Sequence, residues 1–139
     1  MACPWFYPVE RLKPGPGKKS PPAPLGDLQS GICHAAAEWA PDPDTLQHLC
    51  NFGYAREKCP RFPADGPDAV RFSIAQDQDG LIRIYWVVEN NHLPFTHGRL
   101  EYSRTEACFR SSHSDARITQ QAQAYVDSYL RRKGGSGRA

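Results

Sequence analysis

No stretch of this sequence is long and apolar enough to cross a bilayer, and its first residues, Met-Ala-Cys-Pro-Trp-Phe-Tyr-Pro, lack the basic start and long apolar run of a secretory leader. The expected compartment is therefore the cytoplasm, where thiols stay reduced. An excess of charge is missing too: 17 Lys and Arg against 15 Asp and Glu leave a formal net charge of +2. Such a balance argues against a dedicated nucleic-acid binder, whose affinity rests on neutralising many phosphates. The chain also lacks a phosphate-cradling glycine loop, a nucleophile elbow, a paired-carboxylate signature and any Cys-x-x-Cys pair. No enzyme class is favoured, and on its own the chain reads as a non-enzyme.

Proline, by contrast, is abundant at one end. Seven of the 13 prolines fall at Pro4, Pro8, Pro14, Pro16, Pro21, Pro22 and Pro24, a composition that resists helix and sheet interior. The 139 residues suit one domain with little core to spare. The expected division is an extended Pro-rich arm over 1–26, a folded domain over 27–133, and a disordered Gly/Ser tail over 134–139. Trp5, Phe6 and Tyr7 in the arm either pack back on the domain or form a contact for a protein partner.

Within the domain, Asp27 or Ser30 is placed to cap a short helix running through Cys33 to Trp39. Asp42 caps a second helix, with Pro43 in its first position, Leu46, Leu49 and Cys50 on one face, and Gly53 as its stop. After the turn residues Ala64 to Asp68 the apolar period changes to two. Val70, Phe72 and Ile74, then Ile82, Ile84, Trp86 and Val88, predict a hairpin. A three-residue loop, Gln78 to Gly80, would pair Phe72 with Trp86 and Ile74 with Ile84 and collect these residues on one face. Leu100 and Tyr102 mark a third strand. A helix capped by Ser112 or Ser114 then carries the stripe Ile118, Ala122, Tyr125, Val126 and Tyr129. The expected fold is α+β: two short N-terminal helices, a three-stranded antiparallel meander and a C-terminal helix, preceded by the arm.

The chemistry is expected from four cysteines of the folded part, Cys33, Cys50, Cys59 and Cys108, separated by 17, 9 and 49 positions. Cys3, beside Pro4 in the arm, has no partner near it in sequence and is left aside. Four thiolates can hold zinc or an iron–sulfur cluster. Zinc sites usually draw ligands in close pairs, whereas a larger cluster can be reached by separately placed segments. The expected cofactor is a [4Fe-4S] cluster held by Cys33, Cys50, Cys59 and Cys108, with zinc as the alternative. Trp39, Phe52, Tyr54, Phe62 and Phe109 would shield it. Cys59-Pro60 is similar, over two residues, to the Cys-Pro that closes the bacterial ferredoxin run. The role implied is an electron carrier, a redox sensor or an accessory subunit of a larger complex.

Other uses of these residues are open. The cysteines can be unliganded core residues, since a buried thiol packs as a small apolar group. A zinc-stabilised binding module for protein or nucleic acid would use Arg71, Arg83 and Tyr85 on the open face of the hairpin. His34 or His113 can replace a thiolate or hydrogen-bond beside one. Cys108 and His113 can form a nucleophile–base pair if the fold joins them.

Overall fold

The structure, a computed structural model, describes residues 2–12, 23–34, 39–51, 59, 67–91, 93–110, 113 and 115–136. Its first element overturns the expected helix at Cys33. Strands β1 (Phe6–Arg11) and β2 (Gln29–Cys33) pair antiparallel, with Phe6 opposite Cys33, Tyr7 opposite Ile32 and Pro8 opposite Gly31. Part of the expected arm is thus one strand of a sheet, and its partner is the start of the expected first helix. The reason is local. Gly31 has no Cβ to keep the β1 backbone away, and Ile32 favours a pleated surface. Pro8 cannot donate a ladder bond, and a register shift beside it leaves Val9 bulged and exposed. Cys33 ends the strand by exchanging backbone hydrogen bonds with Trp39, at 2.7 and 3.1 Å. The alanine run Ala35–Ala37, the prolines Pro14, Pro16, Pro21 and Pro22, and residues 137–139 of the expected tail lie outside the described residues, while residues 134–136 of that tail end a helix.

The second expected helix is much reduced. Asp42 caps it, accepting from the Thr45 backbone N–H at 3.4 Å and from its hydroxyl at 2.6 Å, with Pro43 in the first turn. The α-helix α1 covers only Pro43–Thr45 and widens into a π-helical turn over Leu46–Cys50. Gly53 lies outside the described residues.

A four-stranded antiparallel sheet replaces the three-stranded meander, in the order β3 (Ala69–Gln78), β4 (Leu81–Asn90), β5 (Leu93–Ser103) and β6 (Cys108–Phe109). Phe72 does pair with Trp86 and Ile74 with Ile84. The odd residue needed for that register is not in the loop, however. Asp79 and Gly80 form a two-residue turn with both φ values positive, 56° and 76°, and the extra residue is Ala75, bulged out of β3. A second irregularity in β5 leaves Phe95 as the additional residue between Pro94 and Thr96. Among the described residues β6 pairs only with Tyr102 and Ser103, so β5 from Leu93 to Leu100 has a strand neighbour on one side alone. Leu93 and Phe95 there are 67% and 65% exposed.

The long helix α2 (Ala116–Ser136) starts at Asp115, whose side chain accepts the Arg117 backbone N–H at 2.9 Å. The expected caps, Ser112 and Ser114, are outside the described residues. Ile118, Ala122 and Val126 are buried against the apolar face of the four-stranded sheet, and Tyr125 meets Phe72 with ring centroids 5.7 Å apart. At its far end Arg131, Arg132 and the Ser128 hydroxyl (2.7 Å) hold the buried Asp27. Burial alone would raise that carboxyl, but these donors keep it below its ordinary value. Among the described residues no helix is long and apolar enough to cross a membrane. The architecture is therefore one long helix with antiparallel sheets of two and four strands.

The approach of β1 to β2 has no slack at Gly31, where an added Cβ would stand 2.1 Å from the Tyr7 carbonyl oxygen and 2.8 Å from Pro8 Cα. Both are backbone atoms that cannot swing aside. Gly31→Ala is expected to destabilise the protein by more than about 2 kcal/mol, while Ser73→Ala on an exposed β3 position stays within about 0.5 kcal/mol. Urea midpoints measure both, and equal midpoints would contradict the packing at Gly31.

Candidate functional site

Chain pairing gathers thiols that are far apart in sequence. All five cysteines are thiols with no disulfide between them: Cys3, Cys33 and Cys50 are buried, Cys59 is half-buried and Cys108 is exposed. Cys50 ends the π-helical turn, and its carbonyl accepts the Cys3 backbone N–H at 3.1 Å. Cys3 opens a tight turn closed by the Phe6 N–H to the Cys3 carbonyl, also 3.1 Å, and Phe6 is the ladder partner of Cys33. Main-chain contacts thus link Cys3 to Cys50 directly and to Cys33 by way of Phe6.

Neighbouring polar side chains fix this junction. Asn51, fully buried, accepts the Gln29 N–H at 2.8 Å and donates to the Gln29 carbonyl at 3.0 Å and the Leu46 carbonyl at 2.7 Å. It acts as a strand residue for β2 and a cap for the turn that carries Cys50. Gln121 of α2, equally buried, donates to the Cys3 carbonyl at 2.7 Å and the Phe6 carbonyl at 2.8 Å. Ahead of Cys3, the Ala2 and Val70 backbones exchange hydrogen bonds at 2.7 and 2.8 Å, tying the turn to the edge of the four-stranded sheet.

The electrostatics follow from burial. It pushes the Cys3 thiol from the ordinary 9.0 up to about 12, opposed by the Trp5 backbone N–H, which donates toward the sulfur; charge on Cys33 and Cys59 adds to the rise, and the Phe6 N–H opposes it. Burial likewise pushes the Cys50 thiol far up, and charge on Cys3, Cys33 and Cys59 reinforces the shift. Cys3 and Cys50 therefore both lie within electrostatic reach of Cys33 and Cys59.

Of the four cysteines singled out by spacing, three share this neighbourhood and Cys108 does not. It sits on β6 opposite Ser103, which pairs through Leu81 to Gln78, whereas the Cys3 turn hangs from Val70 at the other end of β3. That is roughly 25 Å along the strands and three strand spacings, about 14 Å, across them. Cys3, which was not among those four, lies in this neighbourhood instead. Its neighbours in sequence gave no signal, because its partners arrive through pairing with segments 30 to 50 positions later.

The remaining candidates are placed as follows. His34 stacks on Tyr7 at 5.2 Å, and Phe6 is in the core, so Trp5, Phe6 and Tyr7 face their own domain. Trp5 lies under the Arg117 guanidinium. His113 is lowered by burial, accepts the Asp115 N–H on Nδ1 at 2.9 Å and stands edge-on to Trp86, which commits it to the start of α2. Arg83 is bonded to Glu101 and Gln76, both at 3.0 Å, and Tyr85 leans on His97, while Arg71 is exposed. Trp39 is half-buried, Phe109 packs on Tyr102, and Phe52, Tyr54 and Phe62 lie outside the described residues. Among the described residues no three His, Cys, Asp or Glu side chains are arranged so that they could hold a metal ion.

No protein-family model matches the chain, and no curated protein or solved structure matches it.

Two measurements probe the junction. Asn51→Ala leaves the buried Gln29 N–H without its acceptor and is expected to cost about 3 kcal/mol in urea unfolding; a loss below about 1 kcal/mol would show the bonds to be dispensable. The folded protein holds the Cys3 proton more tightly than the unfolded chain does. The stability from this thiol is thus complete below 9.0 and is lost as pH rises toward about 12. Thermal melts of metal-free protein should fall across that window, and a flat profile would contradict the burial of the thiol.

Proposed function

We propose that this chain is a small iron–sulfur protein, its cysteines holding a [4Fe-4S] cluster, and that it serves as an electron carrier, a redox sensor or an accessory subunit of a larger complex. The observation that supports the reading is that Cys33 and Cys50, from separate elements, are both buried and that Cys50 feels charge on Cys33 and Cys59, although the described residues hold no three side chains arranged as metal ligands.

Thiolate ligands suit both zinc and iron–sulfur clusters. Zinc needs four sulfurs about 2.3 Å from one centre and usually obtains them from close pairs on tight turns. Here each thiol comes from its own segment, and drawing four segments onto one small ion demands more closure than seating them around a cluster. Ala2, Phe6, Leu46 and Val70 form an apolar wall beside the junction, which limits access of water and lowers the local dielectric, both of which tune cluster potential.

Anaerobic loading of the full chain with ferrous iron and sulfide tests the proposal. The expected product is coloured and contains about four irons and four sulfides per chain. One zinc without sulfide would replace the cluster by a zinc site, and a protein that retains neither metal nor sulfide would leave the thiols as core residues.

A further inference from the structure

We infer that the pocket between the start of α2 and the far end of the β4–β5 ladder binds a small neutral aromatic molecule that carries a hydrogen-bond acceptor. No cysteine is among the described residues that line it, so the inference does not depend on the iron–sulfur reading.

The pocket follows from two features of β5. Val88 and Thr96 are the last partners in the ladder before its register shifts, and both line the pocket. Phe95, the extra residue at the shift, stands at its rim. Two positions beyond Thr96, Gly98 lets the Trp86 ring lie against β5, where an added Cβ would be 2.8 Å from that ring. His113 stands edge-on to the same ring, with centroids 4.5 Å apart, and forms part of the wall. Pro4, Trp5 and Ile118 close the other sides.

Size and lining together define the ligand. The pocket encloses about 210 Å³, whereas an apolar protein cavity of roughly 150 Å³ already accepts benzene. One substituted ring fits, and Trp5 and Phe95 offer aromatic surface to it. A charged ligand does not fit as well. Asp115, the carboxylate of the lining, is held by the Arg117 guanidinium at 3.0 and 3.1 Å and by the Arg117 backbone N–H, so an ion entering here would lose its hydration and find no free counter-charge. The polar groups left over are donors. His113 accepts the Asp115 N–H on Nδ1, so its neutral ring carries the proton on Nε2. Thr96 brings a hydroxyl, and the Trp5 indole N–H is buried with no acceptor among the described residues. A carbonyl oxygen on the ligand supplies the missing acceptor, which makes an oxygen-bearing ring bind better than a bare one.

The test is a nuclear magnetic resonance titration of the isotope-labelled full chain with benzamide, and with benzoate and toluene as its charged and acceptor-free counterparts. Benzamide is expected to bind with a Kd of about 1 mM or tighter, to shift the Trp5 indole resonance, and to give Overhauser contacts to the Val88 and Ile118 methyl groups. Benzoate and toluene are each expected to bind at least about tenfold more weakly. Thr96→Phe, at an exposed strand position, fills the pocket and should abolish binding in a protein whose circular dichroism is unchanged. Absence of benzamide binding at about 10 mM, or contacts confined to residues outside the pocket, overturns the inference. So does full binding by folded Thr96→Phe, and equal binding of benzoate or toluene overturns the ligand class. Should Thr96→Phe fail to fold, the Overhauser contacts in the wild type decide the matter by themselves.

Discussion

The antiparallel register that sets Phe6 opposite Cys33 governs the rest of the molecule. It converts a proline-rich segment into a strand, and the Phe6 ring becomes part of the core. Because Phe6 also closes the turn begun at Cys3, the same register fixes where Cys3 stands relative to Cys33. Gln121 reads the two carbonyls of that turn, so the long helix docks on main-chain groups as well as on side chains. A slip of one residue would turn Phe6 out to solvent and carry Cys3 away from Cys50.

The hairpin and the C-terminal helix were legible because their signals are periodic and local. Alternation from Val70 to Val88 reports a half-buried sheet, and the spacing from Ile118 to Val126 reports a helix face. Even there the loop length misled: counting the odd residue into the Asp79-Gly80 turn was as good a solution in sequence as a bulge at Ala75, and only the backbone distinguishes them. The N-terminal half was misread for a different reason. The alanine-rich stretch after Cys33 has strong helix propensity, but the preceding strand is decided by a partner more than twenty positions away, and pairing of that kind overrides propensity. The burial of Cys3 beside Cys50 was not legible, since proline-rich surroundings are a reason to discount a residue unless the segment is known to pair.

Buried thiols that feel one another set a thermodynamic condition on any ion they accept. As thiols they cost little, being small and weakly polar. As thiolates they would lose their hydration, which is the main reason Cys3 and Cys50 hold their protons so firmly, and charge on neighbouring cysteines adds to it. A bound metal would reverse the balance by supplying positive charge, and folding and loading would then be linked.

The half-paired length of β5 bears on how the protein behaves in concentrated solution. A strand that has, among the described residues, no neighbour on one side, flanked by exposed Leu93 and Phe95, is a template on which another chain can grow. Pro94 withholds one donor, and the extra residue at Phe95 interrupts the even spacing an incoming strand would need. Among the described residues of β5, the straight run from Thr96 to Leu100 is the edge that remains, and it is short for extended cross-strand growth. The irregularity that exposes Phe95 therefore also protects solubility, trading one wetted aromatic ring for a broken aggregation template.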